Sequence, residues 1–167
     1  MLVFLDTEFT DFIDLRLISV GLAAEDGRTC YGELARDCWL EAVSGFVRAN
    51  VAPLLDQSRP GGEGERPEAL AERLRDWLAG LGEVQLASDN LAHDFDLLVD
   101  LFAETGTAWP TNVAKTPLRV DCYLRGEALA PAVMGTYQDF FTESGLVQHH
   151  ALNDALALRA MWLEWHE

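Results

Sequence analysis

The chain opens on a short apolar run, Leu2-Val3-Phe4-Leu5, cut off by Asp6. A run of this length bounded by a charge predicts a central strand that stops at Asp6. Leu15 to Ala23 alternates in part and predicts a second strand, Asp26-Gly27 a hairpin turn, and Arg28 to Leu34 a third strand pairing back. From there the apolar spacing becomes helical. Trp39, Val43, Phe46 and Val47 predict a helix over Cys38 to Asn50, with Asp37 as its N-cap. Gln57 to Pro67 is polar and rich in glycine and proline, a loop too short to separate two domains. Pro67 then starts a helix carrying Leu70, Leu74, Trp77, Leu78 and Leu81 on one side. Val84 to Ala87 is a strand, Asp94 to Glu104 a helix with Leu97, Leu98, Leu101 and Phe102, and Arg119 to Cys122 a last short strand. His149 to Glu167 is a final helix with Leu152, Leu156, Met161 and Leu163. This order predicts one α/β domain over residues 1–167: a mixed central sheet, its first three strands antiparallel and the later ones parallel, flanked by helices.

Composition narrows the class. With 167 residues, 49% of them apolar, the chain can bury a sizeable core. No apolar run approaches the roughly 18–20 residues of a membrane span, and the start shows neither a basic n-region nor a cleavage site. The expectation is a cytoplasmic protein with no membrane contact. Cys30, Cys38 and Cys122 are odd in number and have no metal-like spacing, as expected of reduced thiols. The net charge of −16 repels a phosphate backbone, and so points away from long duplexes and toward a chain end or a short oligonucleotide.

Three clusters carry chemistry. In Asp6-Thr7-Glu8 the two acids stand two apart in an extended segment and leave it on one face. Like charges so close disfavour each other's ionisation unless a cation neutralises them, and hard oxygen ligands suit Mg²⁺ or Mn²⁺. Asp89-Asn-Leu-Ala-His-Asp-Phe-Asp96 lies between a strand and a helix, where α/β sheets place ligands. Leu97, Leu98 and Leu101 lie three, four and seven residues beyond Asp94, which puts Asp94 on the inward side, Asp96 in solvent and Asp89 in a turn or N-cap. His149-His-Ala-Leu-Asn-Asp154 supplies an imidazole that takes a proton near neutral pH and a further carboxylate. Four carboxylates and one base suit two divalent ions in an in-line phosphoryl displacement, with His149 removing a proton from the attacking water.

Phe4-Leu-Asp-Thr-Glu-Phe9, Asn90-Leu-Ala-His-Asp94 and His149-His-Ala-Leu-Asn-Asp-Ala155 resemble, in order, the three motifs of the DEDDh (DnaQ-like) 3′-5′ exonucleases, most closely the small bacterial exoribonuclease-like branch. Asp121 sits where many members carry another aspartate. The resemblance spans residues 4–155. It implies an RNase H-like fold, two Mg²⁺ or Mn²⁺ ions, and release of nucleoside 5′-monophosphates from 3′ ends. Asp6, Glu8, Asp94 and Asp154 carry over as metal ligands and His149 as general base. An aromatic–Asp pair also occurs at Phe95-Asp96, so Asp96 is the rival to Asp94, and His150 the rival to His149; the spacings favour Asp94 and His149. Thr7, Phe9 and Asn90 are the candidate substrate contacts, Phe9 against a terminal base and the Thr7 amide against its 3′-hydroxyl. Lys115, Arg119 and Arg125 are candidate contacts to the substrate backbone, and Tyr137, Phe140 and Phe141 have no assigned role. The partner expected is a single-stranded 3′ end or short oligonucleotide, RNA or DNA, and the last helix also suits a homodimer. A proofreading-type DNA exonuclease subunit and a catalytically silent binding domain on the same fold are the competing readings.

Overall fold

The computed structural model describes residues 1–120 and 130–166; Asp121, Cys122, Arg125 and Glu167 lie outside the described residues. Strands β1 (Leu2–Phe9), β2 (Leu17–Ala24) and β3 (Thr29–Glu33) pair antiparallel. Strands β4 (Gln85–Ser88) and β5 (Leu118–Arg119) continue the sheet parallel to β1, giving the order β3-β2-β1-β4-β5. This is the mixed sheet that the element order predicts. The helices are α1 (Gly45–Asn50), α2 (Pro67–Ala79), α3 (Leu91–Glu104), α4 (Ala130–Ser144) and α5 (Ala151–His166).

Two layers of helix bury the sheet. On one face, Val3 and Leu5 of β1 and Val20 and Leu22 of β2 pack with Leu70, Leu74 and Leu78 of α2 and Leu97, Leu98 and Leu101 of α3. On the other, Phe4, Ala23 and Ala87 meet Ala155, Leu158 and Met161 of α5. Because both faces are covered, every residue of β2 is buried, and its sequence is almost wholly apolar instead of alternating.

Several elements differ from the sequence expectation. Strand β1 does not stop at Asp6 but runs on to Phe9, because β2 keeps pairing with it (Asp6↔Gly21, Thr7↔Val20, Glu8↔Ser19). On its other side β4 pairs only with Leu2 to Phe4. The helix expected over Cys38 to Asn50 is broken into 3₁₀ turns, Arg36–Cys38 and Leu40–Ala42, followed by the short α1. The break follows from Trp39, which is fully buried with its indole N–H donating to the Leu34 carbonyl at 3.0 Å, and from an extended Val43. Ser44, whose hydroxyl accepts from the Val47 N–H at 3.2 Å, caps α1, while Asp37 pairs with Arg66 at 2.9 Å and caps nothing. Helices α3 and α5 start at Leu91 and Ala151, so Asp94 is not the first residue of its helix and His149 precedes its own. Helix α4 was not foreseen: Pro131 and Gly135 interrupt the helical signal in its sequence. Pro131 is tolerated because it stands in the first turn.

Leu98 is fully buried between the sheet and the α2–α3 layer. Leu98→Ala is expected to lower stability by about 2–5 kcal/mol in urea unfolding, whereas Asp96→Ala, at an exposed position of the same helix, should shift it by less than about 0.5 kcal/mol.

Candidate active site

Past Phe4, β1 no longer pairs with β4, and this gap is where the acids gather. Asp94 fills it from the first turn of α3. Its Oδ1 accepts from the Thr7 backbone N–H at 3.2 Å and the Thr7 hydroxyl at 2.7 Å, and its Oδ2 accepts from the Ser88 hydroxyl. Asp94 is 1% exposed, and Asp96 is exposed. The Thr7 amide expected to meet a substrate 3′-hydroxyl is therefore occupied by Asp94.

Asp154 enters from the first turn of α5 and is 7% exposed. Its Oδ2 accepts from the backbone N–H groups of His149 at 2.8 Å and His150 at 3.1 Å, and its Oδ1 from the Tyr137 hydroxyl at 2.8 Å. Both aspartates thus sit at helix N-termini, where the aligned peptide dipoles favour negative charge.

What lets α5 come this close is Gly21, the β2 partner of Asp6. A Cβ there would lie 2.2 Å from the Ala151 carbonyl carbon and 2.3 Å from the Leu152 nitrogen. The start of α5 rests directly on the sheet backbone, and it carries Asp154 to Asp6. His149, just before that start, adopts φ 66°, a left-handed conformation rare for a residue with a side chain. The turn sends the neighbouring histidines apart. His149 lines the acidic cavity, its ring edge-on to Phe46 at 5.1 Å. His150 stacks on Tyr31 at 4.4 Å, and the Tyr31 hydroxyl is tied to Glu33.

One oxygen each of Asp6, Glu8 and Asp154 lies within 4.8 Å of the others, and the same holds for Asp6, Asp89 and Asp94. Asp6 belongs to both groups. The sequence reading left Asp89 as a turn residue; its place beside Asp6 depends on the gap past β4, which no local pattern encodes. The cavity measures about 380 Å³ and is lined by Asp6, Thr7, Glu8, Phe12, Asn90, Tyr137, Gln148, His149 and Asp154.

Crowding raises the carboxyls out of their usual range. Burial, then the fields of Asp94, Asp154, Glu8 and Asp89, hold Asp6 well up. Burial and the charges of Asp154 and Asp94 push Glu8 to about 8. Burial takes Asp94 to about 7 against the opposing hydrogen bonds from Ser88 and Thr7, and raises Asp154 against those from Tyr137, His150 and His149. A buried, oxygen-only, mutually repelling donor set of this kind fits hard divalent cations. Beside the cavity, Phe9 stacks on His93 at 5.2 Å and Phe12 meets both rings edge-on. Asn90 Oδ1 and His93 Nδ1 are 2.9 Å apart. A second cavity of about 290 Å³ adjoins through Glu8 and Phe12, floored by Phe9, Phe46, Val47 and Val51. Lys115 opens onto a separate apolar pocket with Phe95, Phe102 and Trp109, away from these acids.

No protein-family model matches the chain, and no curated protein does. Solved structures do match. The nuclease domain of 3′hExo, a DEDDh family member bound to rAMP, superposes with a TM-score of 0.66 at 15% identity, covering 99% of this chain and 92% of that one. Apo exonuclease I superposes at 0.55 with 15% identity over 96% of this chain, and E. coli exonuclease I in complex with a dA16 oligonucleotide at 0.54 with 15% identity over 96%. The chain spans about two fifths of the length of exonuclease I, 40% and 39% in these two structures. The chain has the fold of these nucleases, the RNase H-like α/β architecture that its three motifs imply.

Two predictions follow from the packing and the charge. Gly21→Ala, outside the cavity, should displace α5 and weaken Mn²⁺ binding at least tenfold by calorimetry. A carboxyl whose folded pKa is raised holds its proton more tightly when folded. Its contribution to stability is full below the unfolded value and is lost as pH rises through the folded one. The metal-free protein should therefore lose stability between about pH 4.5 and 8, the interval set by Glu8. Thermal melts in EDTA should show this fall, Mn²⁺ should reverse it at pH 8, and Asp6→Asn should flatten it, raising the pH 8 melting temperature by about 2–4 °C or more.

Proposed function

We propose that the chain is a metal-dependent 3′-5′ exonuclease of the DEDDh kind, acting on the 3′ end of single-stranded RNA or short oligonucleotides and releasing nucleoside 5′-monophosphates. The observation that carries this is the sharing of Asp6 between two acidic groups with His149 on the wall of the same cavity. Asp6, Glu8 and Asp154 would hold one divalent ion, and Asp6 with Asp94 a second, Mg²⁺ or Mn²⁺. Ions there would supply charge neutralisation for the scissile phosphate and the leaving 3′ oxygen and a lowered pKa for water. His149, exposed at the cavity edge, removes the proton of the attacking water. Its backbone N–H, bound to Asp154, keeps base and carboxylate in one fixed relation.

The aromatic rim supplies the grip on the substrate. Phe12 is 76% exposed beside the acids, and the adjoining apolar cavity offers room for a terminal base. Phe9, already stacked on His93, backs Phe12 instead of meeting the base alone. Neither cavity is lined by a lysine or arginine among the described residues. Aromatic side chains stack most readily on splayed, unpaired bases, which favours a single strand. The presence of all four carboxylates and the histidine in one place weighs against a silent domain.

With 5′-labelled RNA and DNA oligonucleotides, the protein should shorten the strand from its 3′ end in Mg²⁺ or Mn²⁺ and not in EDTA. Asp6→Ala should abolish the ladder, Asp94→Asn should lower the rate by at least about 100-fold, and Asp96→Asn should leave it within twofold. A folded protein that leaves both strands intact in either metal would overturn the reading. Raising KCl from 50 to 200 mM should change the rate less than tenfold, where a basic phosphate track of six to ten contacts loses about 10³–10⁵ in affinity.

A further inference from the structure

Tyr137 comes from α4, the helix that the sequence pattern concealed, and lines the cavity with Asp6, Glu8 and His149. Its hydroxyl donates to Asp154 Oδ1 at 2.8 Å. The two backbone N–H groups that also hold Asp154 both fall on Oδ2. Among the described residues, Tyr137 is the one that donates to Oδ1. Rotation about the Cβ–Cγ bond, a broad and soft torsion, sweeps both oxygens together, so a donor on Oδ1 narrows the range that the two amides on Oδ2 leave open.

We propose that Tyr137 is a positioning residue, which fixes the Asp154 carboxylate in the rotation that offers the remaining Oδ1 lone pair to the divalent ion. The proposal rests on the metal-dependent reading above. The hydroxyl donates to a ligand and does not itself ligate, so it governs how well the site takes a cation before any substrate arrives. Partners of this kind orient a ligand and typically account for 10–100-fold in metal affinity or activity.

Tyr137 is well placed to do this because the helix that carries it is itself held. The ring of Tyr137 meets Phe141 edge-on at 5.3 Å, a packing contact apart from the hydroxyl. Helix α4 is fastened to α5 by the Trp165 indole N–H donating to the Thr136 hydroxyl at 3.0 Å, and by that hydroxyl donating to Glu164 at 3.3 Å. The phenol is thus referenced to the same helix whose first turn carries Asp154. The ring serves packing and the hydroxyl serves Asp154, so substitution separates the two.

The test is calorimetric titration of the full chain with Mn²⁺, without nucleic acid, on the wild type, Tyr137→Phe and Phe141→Leu. Tyr137→Phe keeps the ring and is expected to weaken Mn²⁺ binding about tenfold or more. Its cleavage rate should fall at low Mn²⁺ and recover toward wild type when Mn²⁺ is raised. Phe141→Leu disturbs the ring packing only; it should lower the melting temperature and leave Mn²⁺ affinity within twofold. Wild-type affinity in Tyr137→Phe overturns the proposal, whether or not its melting temperature drops, since a purely structural hydroxyl would move only the latter. A wild-type chain that binds no Mn²⁺ overturns the metal-dependent reading itself, a result distinguishable because it precedes any variant.

Discussion

Repulsion between carboxylates is the interaction on which the rest of this molecule turns. Asp6, Glu8, Asp89, Asp94 and Asp154 crowd into the end of one strand and the approaches of two helices, where burial and then the neighbouring carboxylates raise the pKa of Asp6 and Glu8. Left alone, such a cluster would splay into solvent. The fold prevents this with donors aimed at individual oxygens: Thr7 and Ser88 on Asp94, and Tyr137 with two backbone amides on Asp154. Helix N-termini add their dipoles. The local oddities follow from the same demand. Strand β1 outruns β4 so that a side chain can take the place of a strand partner, Gly21 has no Cβ so that α5 can touch the sheet, and His149 bends left-handed at the turn into α5. A cluster strained by its own charge is one that gains from a cation.

Much of this could be read from the chain. The apolar runs located four of the strands, since a buried strand and an amphipathic helix differ in period, and the element order gave their directions; the fifth, expected over Arg119 to Cys122, is described at Leu118–Arg119. Asp94 was favoured over Asp96 because a leucine ladder three, four and seven residues on defines an inward face, and the two now stand buried and exposed. The misses share one cause, tertiary context overriding local signal. Trp39 buries itself and breaks a helix whose periodicity was sound. Pro131 and Gly135 hid α4, and with it Tyr137. No spacing assigns Asp89, Phe12 or Phe46 to the site; only the tertiary fold brings Asp89 beside Asp6 and the two phenylalanines to the adjoining cavity. Gly21 was an unremarked residue in a strand, although a glycine inside a strand is a recognised sign of close backbone approach.

The charge of −16 and the absence of lysine and arginine from the lining of both cavities among the described residues belong to one account. A net charge of this sign weakens any hold on a long phosphate backbone. Under the proposed function the chain would grip an end, with cations offsetting the carboxylates and the aromatic rim meeting the last base. Selectivity for an end then needs no separate device, since a continuous strand offers no terminal base to the rim.

The most direct test of the central claim is anomalous diffraction from crystals soaked in Mn²⁺ and a nucleoside 5′-monophosphate. The account predicts manganese peaks contacting Asp6, one shared with Glu8 and Asp154 and one on the Asp94 side, with the base against Phe12. Ordered nucleotide with no manganese at Asp6, or manganese bound only to surface carboxylates elsewhere, would contradict it.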